Sequence, residues 1–93
     1  MTETVLISGG TNGIGKGIVK ALLKNGFNVS TFSRDKNKTE LLNEELLDYA
    51  ESNKLLIQNG DVTDETSAES IVQNTIRNFW QIDILISFQA KSN

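Results

Sequence analysis

The sequence predicts an α/β fold, a doubly wound parallel sheet, and three observations predict it. Short aliphatic runs alternate with amphipathic stretches in the order β-α-β-α-β-α-β. The first run stops at a glycine-punctuated loop that leads straight into helical periodicity. The length, 93 residues, fits one small domain, and no internal repeat, linker or low-complexity segment divides it.

Each element has its own signal. Thr4 to Ser8 (TVLIS) is aliphatic on both faces, as in a strand covered on two sides, and it ends at Gly9-Gly10. Ile14, Ile18 and Leu22 then recur at i, i+4 and i+8, with Val19 and Leu23 beside them, which is a helix stripe. Gly26 follows its last turn, where a left-handed residue is expected. Residues 27–33 (FNVSTFS) read as a second strand. Residues 39–51 read as one helix, with Leu42, Leu46, Tyr49 and Ala50 on one side. Residues 54–58 (KLLIQ) form a third strand. Thr63 or Asp64 can cap a third helix, whose stripe is Ile71, Val72, Thr75, Ile76 and Phe79. Asp64 and Glu65 suit the positive end of that helix dipole. Residues 82–88 (IDILISF) form a fourth strand. Right-handed crossovers place helices on both faces of such a sheet.

Composition excludes several functions. There is no Cys and no His, so disulfides, thiolate or imidazole metal sites, a cysteine nucleophile and the commonest general base are absent. No metal site is expected. The formal charge of −3, from 9 basic and 12 acidic side chains with no basic cluster, argues against nucleic-acid and membrane-surface binding. No apolar run approaches the ~20 residues needed to span a bilayer. The N-terminus has no basic, apolar leader pattern, so a cytoplasmic protein is expected.

The chemistry sits in the loop Ser8-Gly9-Gly10-Thr11-Asn12-Gly13-Ile14-Gly15. It leaves a strand and enters a helix, the context a dinucleotide fingerprint requires. Gly9 permits a sharp turn, Gly13 leaves room for a pyrophosphate, and Gly15 lets helix and strand pack closely. The helix start offers unpaired N–H groups to phosphate. The plain alternative is a tight strand-to-helix turn that needs glycines for geometry alone.

The stretch VLISGGTNGIGKGIVKALLKNGFNV resembles the start of a short-chain dehydrogenase/reductase, with Ser8 where that family typically has Thr. The resemblance implies a partial Rossmann-like sheet of strand order 3-2-1-4 and a dinucleotide partner. It places Ser33 where the family's NAD-selecting acid stands. Arg34 follows at once and can grip a 2′-phosphate through its planar fork, with Lys36 and Lys38 adding positive field. NADP(H) is therefore expected over NAD(H). Asp35 is the competing feature, since a shift of one residue would bring an acid to the ribose. Taken alone, Arg34 reads better as a solvated loop charge. Asp61 and Val62 match the family's adenine-reading pair, and the alternative is that Asp61 and Thr63 only shape a turn and a cap. The expected cofactor-binding set is thus Gly9, Thr11, Asn12, Gly13, Ile14, Gly15, Ser33, Arg34, Asp61 and Val62.

The resemblance covers residues 3–86. Ser87-Phe88-Gln89-Ala90-Lys91 does not reproduce the family's Asn-Asn-Ala-Gly. The family's catalytic Tyr-x-x-x-Lys pair and upstream Ser have no counterpart, because Tyr49, the only tyrosine, has Asn53 at i+4. Tyr49 is read as packing, Glu40, Glu44, Glu45 and Asp48 as a solvated face, and Trp80 as a partly buried anchor. No catalytic residue is assigned. The chain is expected to be a truncated, single dinucleotide-binding domain spanning residues 1–93, with an apolar fourth strand at its edge. Self-association through residues 84–88 is the expected consequence. A non-catalytic binding or interaction module is the alternative.

Overall fold

The computed structural model describes residues 2–11 and 13–87. In chain order the elements are β1 (Thr4–Ser8), α1 (Gly13–Lys24), β2 (Asn28–Ser33), α2 (Lys36–Glu45), α3 (Leu47–Glu51), β3 (Leu55–Asn59), α4 (Glu65–Phe79) and β4 (Ile84–Ile86). All four strands are parallel, in the order β3-β2-β1-β4.

Alternation along β1 and β2 sorts side chains to two faces. Val5, Ile7 and Val29 join Val19 and Leu23 of α1, Leu42 of α2, Leu46 and Leu55 in the larger core cluster. Leu6 and Phe32 point the other way and meet Ile71 of α4. That second face carries a polar seam as well. The Thr75 hydroxyl donates to the Ile71 carbonyl (2.8 Å) and lies 2.6 Å from the Ser30 hydroxyl, with both residues fully buried. Hydrogen bonding makes this burial tolerable.

Gly26 takes the left-handed conformation (φ 88°) that its place after α1 predicts. Several details depart from the sequence reading. In α1 the fully buried line is Gly15, Val19 and Leu23, while Ile18 and Leu22 flank it and Ile14 is 74% exposed. The helix rolls this way because Gly15 is pressed against the loop. The segment read as one helix over 39–51 is broken at Leu46 (φ −117°, ψ 32°). Leu46 itself is buried, so the apolar period runs through the break and hides it. The helix also starts earlier, because the Asp35 carboxylate caps it by accepting from the amides of Asn37 and Lys38. At α4 the N-cap is Asp64, but its side chain makes no cap hydrogen bond. Trp80 is not an anchor. It ends α4 in a left-handed conformation (φ 76°) that leaves its side chain 87% exposed, and Phe79 is the buried aromatic.

β4 is shorter than residues 82–88. Asp83 precedes it, exchanging bonds with Thr4 through both its amide (2.9 Å) and its carboxylate (2.8 Å). Residue 88 lies outside the described residues. Among the described residues β4 pairs with β1 alone, and Leu85 is 69% exposed. No described helix is long and apolar enough to cross a membrane.

Candidate functional site

A crevice of about 570 Å³ opens at the carboxyl ends of all four strands. Its wall takes Ser8 from the end of β1, Ser33 from the end of β2, Asp61 from just beyond β3 and Ser87 from just beyond β4. This is where the switch in strand order of an open α/β sheet leaves room for a ligand. Gly9, Thr11, Arg34 and Lys38 continue the polar side of the wall, and Leu6, Val62, Ile71, Val72 and Leu85 form the apolar side.

The loop glycines divide their work as the sequence suggests. Gly9 makes the sharp turn with φ 73°. A Cβ on Gly15 would collide with the Gly9 carbonyl and lie 3.2 Å from the Gly10 Cα, so α1 approaches β1 more closely than a side chain allows. At Gly13 a Cβ would meet nothing within 4 Å, which leaves open space before the helix start. That open approach, flanked by the α1 amides, fits a diphosphate. Gly13, Ile14 and Gly15 begin α1 and do not line the crevice with side chains. Asn12 lies outside the described residues.

A further glycine escaped the sequence reading. A Cβ on Gly10 would sit 2.5 Å from the Thr31 hydroxyl oxygen and 2.8 Å from a Val19 methyl. The Thr31 hydroxyl donates to the Ile7 carbonyl (2.8 Å), so β1, β2 and α1 converge on this one position. The doubled glycine was the only sequence signal for it.

The end of β2 settles the position of the competing acid. Register pairs Ser8 with Phe32 and Ser33 with Asn59, which puts Ser33 and Arg34 at the crevice. Asp35 is not part of the wall, and its carboxylate is committed to the α2 cap. The Ser33 hydroxyl accepts from the Asp35 amide at 3.1 Å.

Asp61 does two things. Its Oδ1 accepts from the Thr63 hydroxyl (2.6 Å) and the Thr63 amide (2.9 Å), which is the local turn the plain alternative anticipates. Its Oδ2 faces Arg34 Nη1 at 4.0 Å. The Thr63 hydroxyl, then the Thr63 amide, and to a smaller extent Arg34 hold the carboxyl below its ordinary value against a partial desolvation that opposes them. An ionised carboxylate beside Val62 at the mouth presents hydrogen-bond acceptors to the crevice.

Tyr49 is half-buried against the larger core cluster and is not part of the crevice wall. Glu45 lies on the outer surface, where its carboxylate pairs with Lys20 and with Lys16 (3.1 Å). Among the described residues no cluster of acids, histidines or cysteines is arranged to hold a metal.

Comparison with known proteins gives a consistent answer. Residues 3–88 match the short chain dehydrogenase family, two residues further than the motifs alone suggest. The chain is 34% identical over 87 residues to the 3beta-hydroxysteroid dehydrogenase 2 of Eggerthella lenta, covering 91% of this chain and 32% of that one. Among solved structures, ElxO with NADP bound is 31% identical with a TM-score of 0.84, covering 100% of this chain and 37% of the other. The 3-ketoacyl-(acyl-carrier-protein) reductase from Brucella melitensis, complexed with NADH, is 29% identical with a TM-score of 0.78, covering 89% and 32%. The chain thus spans about a third of the length of the proteins it matches.

Proposed function

This chain belongs to the short-chain dehydrogenase family, and from that premise we propose that it forms the nucleotide-binding part of an oxidoreductase that prefers NADP(H) to NAD(H). The relatives include one structure with NADP and one with NADH, so the preference rests on this chain's own residues. The observation that carries it is the end of β2, where Ser33 and Arg34 meet the crevice while Asp35 is drawn away by its cap. A 2′-hydroxyl needs an acceptor there, and a 2′-phosphate needs donors and positive charge. Arg34 supplies five N–H donors and Ser33 an uncharged hydroxyl.

The other roles follow from position. Amides of Gly9, Gly13, Ile14 and Gly15 hold the diphosphate at the helix start. Asp61 and Val62 hold the adenine. The nicotinamide, when bound, carries hydride to or from a carbonyl or alcohol carbon. The chain has no histidine, and its tyrosine, Tyr49, stands off the crevice wall.

Fluorescence titration of NADPH and NADH against the wild type and Arg34→Glu tests the reading. Losing a charge-assisted bond of ~1.5–3 kcal/mol weakens NADPH roughly tenfold to a hundredfold. NADH binding should barely change. Equal losses for both nucleotides would refute the role of Arg34, and no binding of either would refute the nucleotide site.

The exposed β4 edge favours a second reading, an interaction module that pairs its sheet with a second copy. Defined dimers with no affinity for either nucleotide would favour it.

A further inference from the structure

Three basic side chains follow β2 within five residues, and the fold treats them differently. Arg34 and Lys38 line the crevice, whereas Lys36 does not. We infer that Lys38 is a second nucleotide-selecting cation, paired with Arg34 across the first turn of α2. This inference rests on the nucleotide reading above and adds a residue to it.

The charge balance of the wall carries the argument. Arg34 faces Asp61 at 4.0 Å, and the two charges formally cancel. Lys38 then provides the net positive charge of this wall, since among the described residues its ammonium makes no ion pair. A phosphate monoester brings about −1.5 to −2 charges at neutral pH. It meets a neutral wall without Lys38 and a positive one with it.

Local structure fixes the backbone that carries Lys38. Lys38 donates its own amide to the Asp35 carboxylate (3.3 Å), alongside the Asn37 amide (2.9 Å). The next residue, Thr39, is buried; its hydroxyl donates to the Lys36 carbonyl (2.8 Å) and reaches Asn59 of β3 (3.3 Å). The turn is therefore tied down on both sides of Lys38. Arg34 precedes the cap and Lys38 is the third helical residue, and both line the same crevice. Lys36, the first helical residue, leaves the helix on another side.

The test uses adenosine 2′,5′-bisphosphate and adenosine 5′-monophosphate as probes, so that their affinity ratio isolates the 2′-phosphate. Titrations compare the wild type with Lys38→Gln, Lys38→Arg, Lys36→Gln and Arg34→Gln. The expected result is a ratio lowered roughly threefold to fivefold by Lys38→Gln, on the scale of an exposed charge contact. Lys38→Arg should keep it, and Lys36→Gln should leave it within about twofold. The Lys38 contribution should also shrink as salt rises. A wild-type ratio near unity would refute the preference for NADP(H) itself. A wild-type preference that Arg34→Gln erases and Lys38→Gln leaves intact would refute the role of Lys38 alone. Equal losses for Lys36→Gln and Lys38→Gln would reduce it to a diffuse field and overturn the assignment.

Discussion

Replacing Gly15 with alanine probes the joint between the glycine loop and α1. The added Cβ would run into the Gly9 carbonyl, 2.8 Å from its carbon, and lie 3.2 Å from the Gly10 Cα. Ordinary contact begins near 3.4 Å, so the Gly9 carbonyl carbon must retreat by about 0.6 Å and its oxygen further. Both neighbours are backbone, so no flexible side chain can yield. Overpacking of this kind costs about 1–3 kcal/mol, and rigid neighbours put it toward the upper end. Gly17 is the internal control. It lies in the same helix, exposed, with nothing within 4 Å of a built Cβ. Gly17→Ala should gain about 1 kcal/mol from helix propensity. At about 4–8 °C per kcal/mol for a domain of this size, the two variants should melt roughly 10 °C or more apart. Thermal unfolding followed by circular dichroism measures this directly. Because Gly9 lines the crevice, Gly15→Ala should also weaken NADPH by about tenfold, the equivalent of one charge-assisted bond. If Gly15→Ala melts with Gly17→Ala and binds NADPH like the wild type, the close approach of α1 to the loop is not what this site requires.

Two further outcomes are expected. The Lys20 ammonium, then Lys16, holds the Glu45 carboxyl below its ordinary value. A depressed folded value means that the contribution of Glu45 is fully present above the ordinary carboxylate range and is lost as pH falls through the folded value. Urea melts of the wild type and Glu45→Gln should therefore differ at neutral pH and converge in acid, and a gap that widens toward low pH would contradict the pairing. At the sheet edge, the 93-residue wild type should self-associate in sedimentation, and Leu85→Lys should be monomeric, because a charge on an exposed strand opposes edge pairing. A monodisperse wild-type monomer at micromolar concentration would remove the proposed β4 contact.

Much of this molecule is written in local terms. A left-handed backbone at Gly9, Gly13 and Gly26 is a demand each residue meets by itself, and the alternation of aliphatic runs with helical stripes depends only on neighbours a few positions away. Those properties determined the alternation of strands and helices, the glycine loop and, through the resemblance they carry, the strand order and family. The tertiary structure decided the rest. A one-residue ambiguity at the end of β2 is closed by the register against β1 and β3 and by the Asp35 cap, neither visible in a string of residues. The break at Leu46 is concealed because a buried leucine keeps the period going, and Trp80 turns outward because the chain leaves α4 through a left-handed residue. Lys36 and Lys38 look alike in sequence, yet only the second reaches the crevice. Such distinctions depend on which hydrogen bonds and contacts win once distant segments meet, whereas backbone permissiveness and periodicity are already present in the unfolded chain.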